Sequence, residues 1–370
     1  MKKHAIKMFL ALVVALAMIL GSAACEDFGL LTLIAQETGG DVPEGAAALI
    51  QKDLFQATVN NVEITIREAA YDGRSLFLTY GFRMTDVDHP LGMTAADAYG
   101  DELPEGFAPD EYVYSLTEDA EDLLSEHNVG WWIDDIWFNG KPMSDMPEGS
   151  GQYLTGTAVP GELIETDIWR LDKLGISLEG KVEISLPIGD TQDFMEYYNH
   201  PEKYDEDGAM LVPEQGMVTF EFDAGDIASR IRVLHPEGET VLPDVTAKVR
   251  EAAFTPAITY IYLDLAVNEE TLKAFIAENG EGVTDENGDI IWHYGAMDVF
   301  GEWLDSLQLT DGSGTVLFPD LFGPVAFSDT EAEFLLPWLE TLPEALFLAP
   351  VGDDGAADMS VAVPICSAGE

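Results

Sequence analysis

Two five-residue stretches of this chain share their first four residues, and each lies between similar segments. Residues 67–71 read Arg-Glu-Ala-Ala-Tyr, and residues 250–254 read Arg-Glu-Ala-Ala-Phe. Each ends a segment in which apolar and polar residues alternate, and each precedes a turn dipeptide and a second alternating segment. Period-two alternation is typical of a strand with one buried face, and two such segments around a turn favour an antiparallel hairpin. The repeat therefore predicts two related β domains.

Further alternating segments extend this pattern along the chain. The two hairpins turn at Asp72-Gly73 and Thr255-Pro256. Other alternating segments lie at 182–188, 218–222 and 361–365. Asn-Gly and Asp-Gly dipeptides separate many of the segments, as expected of β-sandwiches. We expect a mainly β fold of antiparallel β-sandwich domains with a few short helices.

One helix candidate and the bounds of the domains complete the predicted organisation. The candidate helix runs from Asn268 to Asn279, with Asn268 as its N-cap and Gly280 as its stop. The predicted organisation is a signal peptide at 1–24, a tether at 25–49, a first domain with insertions at 50–235 and a second domain at 236–370.

The segments 49–54 and 62–73 resemble a known family. They read Leu-Ile-Gln-Lys-Asp-Leu and Val-Glu-Ile-Thr-Ile-Arg-Glu-Ala-Ala-Tyr-Asp-Gly. This resembles the domain of unknown function 4179 family, found in ectodomains of Gram-positive bacterial surface proteins. The resemblance is clearest over 50–85 and 150–190. It implies an immunoglobulin-like sandwich around the first hairpin and a second β domain after it, but it implies no activity. With the repeat, it leads us to expect two immunoglobulin-like antiparallel β-sandwich domains.

The first 25 residues have the composition of an export signal. Three lysines precede an apolar run of thirteen residues, Met8 to Leu20. Such a run spans about 20 Å as a helix, which is too short for a bilayer core of roughly 30 Å. We expect cleavage before Cys25, which follows Ser-Ala-Ala and would carry the lipid of a bacterial lipoprotein. Cleavage there without lipid attachment would give a secreted protein instead. Either way the protein works outside the cytoplasm, and the lipid form lies on the extracellular side of the cell membrane.

The charge balance excludes several classes of partner. The chain has 69 acidic and 17 basic residues, a net charge of −52. Nucleic acid and anionic lipid are repelled, so membrane contact is expected only through the N-terminal lipid. Hydrophobic residues make up 47% of the chain, which is ample for folded cores. The acidic residues therefore coat the surface, where they mainly favour solubility.

The sequence contains no recognisable catalytic or metal-binding motif. The histidines lack metal-ligand spacing, and no Gly-x-Ser-x-Gly elbow or phosphate-binding glycine loop occurs. The two cysteines, Cys25 and Cys366, lie at opposite ends of the chain. Among so many carboxylates, some pair will lie at glycosidase distance by chance, so abundance alone does not indicate a catalytic pair. We therefore predict no enzyme activity and no cofactor.

The densest aromatic stretch, residues 131–138, is a candidate binding site. It contains Trp131, Trp132 and Trp137. In a strand, Trp131 and Trp137 would face one way and Trp132 the other. One aromatic face beside an acid would suit sugar stacking. The alternative is a strand that is buried on both faces.

A second candidate is an oxygen-rich loop at residues 285–289. Asp285, Asn287 and Asp289 resemble the ligands of a weak calcium site. The glycine, however, precedes Asp289, and the distant bidentate Glu of a helix-loop-helix calcium loop is missing. Asn287-Gly288 is better interpreted as a hairpin turn, with weak calcium binding as the alternative.

These observations favour an exported, lipid-anchored surface protein that acts as a non-catalytic binding or structural module. Its expected partner is a cell-envelope glycan or protein that the sequence does not identify. Two alternatives remain open: the ectodomain of an envelope-stress or regulatory system, and an acidic glycan-active enzyme.

The lipid anchor can be tested by changing the cysteine. Cys25→Ala should release the protein into the medium or leave it unprocessed, because the attachment thiol is gone. Fractionation of cells expressing each form measures this. Unchanged membrane association of the variant would contradict lipid attachment.

Overall fold

The computed structural model describes most of the predicted strands. The described residues are 30, 34, 44–85, 91–96, 100, 108, 112–116, 124, 126–129, 136–142, 152–156, 162–189, 216–280, 282–284, 290–319, 323–352 and 355–366. Among them, the chain divides into two compact units between Ile227 and Ala228. The first unit contains 46–227 with Leu30, and the second contains 228–366 with Ile34 and 44–45.

The first unit is built from antiparallel strands. A short helix, α1 (Glu44–Ala47), precedes them. The strands are β1 (Gln51–Val59), β2 (Val62–Tyr71), β3 (Ser75–Met84), β4 (Gly92–Thr94), β5 (Tyr112–Leu116), β6 (Trp137–Phe138), β7 (Lys141–Pro142), β8 (Gln152–Gly156), β9 (Glu162–Arg170), β10 (Lys181–Leu186) and β11 (Val218–Asp223). They form sheets in the orders β1-β2-β3-β9-β8, β11-β10-β6-β7 and β4-β5. Gln51 on β1 joins the first two sheets, because its side chain exchanges two hydrogen bonds with the backbone of Asp223 on β11.

The second unit repeats this antiparallel construction with two more helices. Its elements are β12 (Arg232–Leu234), β13 (Thr240–Val241), β14 (Val245–Phe254), β15 (Ile258–Val267), α2 (Glu269–Asn279), β16 (Gly282–Thr284), β17 (Ile290–His293), α3 (Met297–Asp305), β18 (Leu307–Asp311), β19 (Ala326–Phe327), β20 (Glu331–Pro337), β21 (Leu346–Pro350) and β22 (Val363–Cys366). Single 3-10 turns lie at Ala228–Arg230 and Met359–Val361. One core contains residues of β14, β15 and β20, of the β18-β21-β22 sheet, and Phe300 and Leu304 of α3. The predicted fold class, mainly β with antiparallel sandwiches and few helices, is confirmed.

The predicted helix start and stop are also confirmed. The Asn268 side chain accepts hydrogen bonds from the backbone N–H groups of Glu270 and Thr271, at 2.9 and 3.4 Å. Gly280 ends the helix with a φ of 90°, which favours glycine. By contrast, the predicted domain boundary at 235 falls after β12. This strand pairs with β14 and belongs to the second unit.

The segment predicted as a tether, 25–49, differs from that expectation where it is described. Leu30, Ile34 and Ala46 are fully buried. The backbone N–H of Leu30 donates a 2.6 Å hydrogen bond to Glu68 on β2. These three residues therefore pack into the folded units instead of forming a simple spacer.

The sequence repeat forms two hairpins of one design. β2 pairs with β3, and β14 pairs with β15, over ten residues in each strand. The register shifts by one residue at Arg67 in the first hairpin and at Arg250 in the second, which marks a β-bulge at the same place. The segments that start at Val62 and Val245 thus occupy equivalent strands, as the repeat predicts.

The turns of the two hairpins are closed in the same way. Asp72 Oδ1 accepts hydrogen bonds from the backbone N–H groups two and three residues later, at 2.9 and 2.8 Å. Thr255 Oγ1 accepts from the same two positions, at 3.2 and 3.0 Å. A side-chain oxygen at the first turn position therefore fixes the hairpin in each copy.

The bulge arginine of each hairpin reaches toward the third strand. β3 continues the sheet to β9, and β15 continues it to β20. Arg67 pairs with Glu162 on β9. Arg250 pairs with Glu331 on β20 at 2.7 Å and with Asp264 on β15 at 3.0 Å. The repeated arginine thus links neighbouring strands in both units.

Gly81 on β3 leaves room for the first of these ion pairs. A Cβ atom at this position would lie 2.8 Å from Glu162 Oε1 and 2.9 Å from Thr65 Oγ1. Gly81→Ala should therefore displace the Arg67–Glu162 pair and lower the free energy of unfolding by about 1–3 kcal/mol. Denaturant unfolding measures this change.

Gly301→Ala is the matched control, since the same change falls within α3. There the added Cβ would lie 3.6 Å from Met297 Cε, an ordinary contact. Helix propensity should raise stability by up to about 1 kcal/mol. Equal effects of the two substitutions would contradict a steric role for Gly81.

Candidate functional site

Most residues singled out from the sequence lie outside the described part of the chain. They are Cys25, Trp131, Trp132, Asp285, Asn287 and Asp289. Lipid attachment, sugar stacking by the first two tryptophans, and the choice between calcium site and hairpin turn therefore stay predictions. Cys366, the other cysteine, is buried on β22, where its thiol lies 3.8 Å from the carbonyl oxygen of Pro343.

Trp137 of the aromatic stretch is described. It lies half-buried on β6, opposite Ser185 of β10 and Pro142 of β7. Its indole N–H is buried and has no hydrogen-bond partner among the described residues. The Trp137 side chain is therefore neither fully buried nor fully exposed to solvent.

An unexpected polar cluster lies on the buried face of the first unit's largest sheet. It consists of Tyr80 on β3 and of Glu165 and Asp167 on β9, which are 0%, 0% and 2% exposed. The Tyr80 hydroxyl donates a 3.0 Å hydrogen bond to Asp167 Oδ2. Neither oxygen of Glu165, nor Oδ1 of Asp167, has a partner among the described residues.

This environment changes the ionisation of both carboxyls. Burial, with repulsion from Asp167 next in importance, raises the pKa of Glu165 to about 9, although the nearby Tyr80 hydroxyl acts in the opposite direction. Burial likewise raises the pKa of Asp167 to about 7, against hydrogen bonding that lowers it. Glu165 is therefore protonated at neutral pH, whereas the pKa of Asp167 lies close to neutral pH.

The second unit provides an internal comparison for this cluster. By strand register, the positions of Tyr80, Glu165 and Asp167 correspond to those of Leu263, Ala332 and Phe334. These three residues are buried in the apolar core of the second unit. The shared fold therefore does not require acids at these positions, and the cluster is particular to the first unit.

Sequence reasoning missed the cluster, although a signal is present. Residues 162–170 read Glu-Leu-Ile-Glu-Thr-Asp-Ile-Trp-Arg. Glu165 and Asp167 share a strand face with Leu163 and Trp169, so two acids stand where alternation predicts apolar residues. Their Cα atoms are ~7 Å apart in an extended strand. Because both are buried, they cannot contact a large substrate in this conformation, and their direct effect is on pH-dependent stability.

A separate pocket lies in the second unit, at the turn end of its repeated hairpin. Its volume is about 310 Å³. β14 ends there, and β15, which begins there, pairs with the end of β20. Phe254, Thr255 and Pro256 are the buried part of its lining.

The rest of the lining combines an aromatic ring with charge. Trp338, Leu339 and Leu342 are half-buried, whereas Arg230, Arg232 and Glu340 are exposed. Gly45 also contributes, and its carbonyl oxygen accepts a 2.9 Å hydrogen bond from Arg230. This composition suits a ligand with both an apolar face and polar groups.

The first unit fills the same end of its sheet with ion pairs. Arg170, at the end of β9, donates to both carboxylate oxygens of Asp172 at 3.1 Å. Arg74, in the hairpin turn, donates to the same carboxylate at 3.3 Å. By register, Arg170 corresponds to Pro337 of the second unit. The pocket is therefore not a general property of the repeated fold.

Two kinds of feature are absent from the described residues. No described helix has the length and apolarity needed to cross a bilayer. No cluster of three or more His, Cys, Asp or Glu side chains in the described ranges could hold a metal ion.

Comparison with known proteins adds one remote structural likeness. No protein-family model matches this chain, so its resemblance to the domain of unknown function 4179 family stays a prediction. No curated protein matches it. A solved structure described as the crystal structure of the conserved domain protein from Bacillus anthracis aligns with 83% of this chain and 79% of its own, at 12% identity and a TM-score of 0.41.

The buried acids predict that stability falls as pH rises from about 5 to 8. In this range the unfolded chain has already released the protons that folded Glu165 and Asp167 retain, because their pKa values are raised by folding. Proton release by the unfolded state alone makes unfolding more favourable with increasing pH. The urea midpoint should therefore decrease over this range.

Glu165→Gln should flatten that decrease, since the amide does not ionise. Glu183→Gln removes one carboxylate from an exposed position on β10 of the same unit and should keep the wild-type slope. Ionisation of the acidic surface affects all three proteins alike. Identical slopes for the wild type and Glu165→Gln would contradict the role of the cluster.

Proposed function

We propose that this chain is an exported surface protein, held by a lipid on Cys25, whose immunoglobulin-like units act as a non-catalytic binding or structural module of the cell envelope. The apolar leader and the Ser-Ala-Ala-Cys stretch support export and anchoring. The net charge of −52 supports a soluble, non-adhesive surface.

The second-unit pocket is the observation that carries the binding role. Among the described residues, its lining includes one carboxylate, Glu340, and no histidine, cysteine or serine. The Thr255 hydroxyl is occupied, because it donates to the carbonyl oxygen of Ile258 at 2.8 Å and accepts two backbone N–H groups. The lining can therefore contact a ligand but supplies neither an activated nucleophile nor a carboxylate pair.

The first unit supports the structural part of the proposal. Its corresponding end is occupied by the Arg74–Asp172–Arg170 ion pairs, and its unusual acids lie inside the sheet. The alternative of an acidic glycan hydrolase rests on these acids, whose raised pKa values differ as in an acid–base pair. A buried pair would need an opening movement before it could reach a glycan.

A pull-down distinguishes these functions. The purified protein should retain an envelope glycan or protein, and the retained glycan should stay intact during long incubation. Glu165→Gln should not change retention, because the acid is remote from any surface contact. Failure to retain any envelope component would contradict the binding role, and glycan cleavage lost in Glu165→Gln would favour the hydrolase.

A further inference from the structure

The second unit has few basic residues, and only some of them form ion pairs with acids. Residues 228–370 contain five lysines and arginines against 26 aspartates and glutamates. Arg250 pairs with Asp264 and Glu331, and Lys273 pairs with Glu269 on α2 at 2.9 Å. Lys248 on β14 has no carboxylate partner among the described residues and does not line the pocket. In such an excess of acid, a basic residue would be expected to have a carboxylate partner.

Two of the five basic residues instead lie together on the pocket. Arg230 and Arg232 both line it, and neither has a carboxylate partner among the described residues. Arg230 donates one N–H to the carbonyl oxygen of Gly45. A guanidinium has five N–H donors, so others can bind a ligand. Arg232 is exposed at the start of β12, in register with Phe254. Two guanidinium groups that are not paired with a described carboxylate can attract an anion.

The ring of Trp338 lines the same pocket as these two arginines. A Cβ atom on Gly45 would lie 3.2 Å from Trp338 Cζ3, so the ring packs directly against the glycine backbone. An indole held in this way can stack on the apolar face of a sugar. Glu340, the pocket's carboxylate, can accept hydrogen bonds from sugar hydroxyls but repels a bare anion.

We propose that this pocket binds one anionic sugar or polyol unit of an envelope glycan, with Arg230 and Arg232 on its carboxylate or phosphate and Trp338 against its apolar face. The inference deepens the proposed binding function and rests on it. A sugar acid and a polyol phosphate share this chemistry, because each has several hydroxyl groups and one acidic group. Such a unit can contact the arginines, the tryptophan and the glutamate of the lining at once.

The surrounding charge determines how such a ligand binds. The rest of the surface repels a polyanion, but at physiological salt this repulsion is screened beyond roughly 8 Å. Attraction is therefore confined to contact with the two arginines, and each unit binds weakly. A polymer with many acidic units would gain retention through repeated rebinding. Added salt weakens both the attraction of the ligand to the arginines and its repulsion by the acidic surface. Variants that lose the same charge at different positions therefore test the site better than a change of salt does.

Calorimetric titration of the full chain with four probes tests the proposal. The probes are an oligogalacturonate, an oligomer of glycerol phosphate, a neutral malto-oligosaccharide of equal length, and inorganic phosphate. We expect at least one acidic oligomer to bind at least about tenfold more tightly than the neutral one, since a charge-assisted hydrogen bond contributes this much. The acidic oligomer that binds identifies whether the group is a carboxylate or a phosphate.

Variants locate the binding. Arg232→Gln should weaken the acidic oligomer about tenfold or more, and Trp338→Ala should weaken it further. Lys273→Gln is the matched control, because it removes the same charge from the same unit at an exposed position of α2. It should leave affinity unchanged, and thermal unfolding of Arg232→Gln should match that of the control.

Three results would overturn the inference. They are equal binding of the neutral oligosaccharide, equal loss of affinity in Lys273→Gln and Arg232→Gln, and binding of inorganic phosphate as tight as that of the oligomers. If no probe binds while the pull-down still retains an envelope component, the inference fails and the proposed function stands. If neither experiment detects a ligand, both fail.

Discussion

The pairing of two ten-residue strands across a capped turn is the interaction on which each unit depends. In both copies a side-chain oxygen at the first turn position accepts hydrogen bonds from the backbone N–H groups two and three residues later. A bulge precedes the turn at the same distance in each copy. The bulge places an arginine where it can reach acids on neighbouring strands. Local hydrogen bonds in the hairpin thus position the ion pair that links the sheet across longer sequence separations.

The two copies also show which features the fold leaves free to vary. One buried sheet face carries Tyr80, Glu165 and Asp167 in the first unit and apolar residues in the second. At the turn end of the sheet, the first unit has Arg74, Arg170 and Asp172 in ion pairs, whereas the second has a pocket. The central strand pairing is shared, whereas the side chains on it and the segments beside the turn end differ. These differences separate a first unit with buried acids from a second unit with a pocket.

Because the chain is so acidic, a basic side chain without a carboxylate partner is informative. Most described arginines and lysines of the sheets are paired with acids, as expected when carboxylates are so abundant. Arg230 and Arg232 differ, because they lie beside Trp338 and Glu340 without a described carboxylate partner. Their location on a pocket, rather than their number, makes them candidates for ligand contact.

The sequence by itself determined the elements whose cause is local. Period-two alternation predicted β2, β3, β14 and β15, the repeat predicted their equivalence, and Asn268 and Gly280 set the ends of α2. These features depend on local hydrogen bonds and on the alternation of side chains along a strand. A few neighbouring residues of the sequence are therefore enough to predict them.

Tertiary structure alone decided the candidate sites. Glu165 and Asp167 are two acids among 69 in sequence, and only the pairing of β9 with β3 buries them beside Tyr80. Likewise, Arg232 and Trp338 are far apart in the chain and meet because β12, β14, β15 and β20 lie side by side in one sheet. Burial and long-range juxtaposition depend on how strands pair, and no local pattern encodes that pairing.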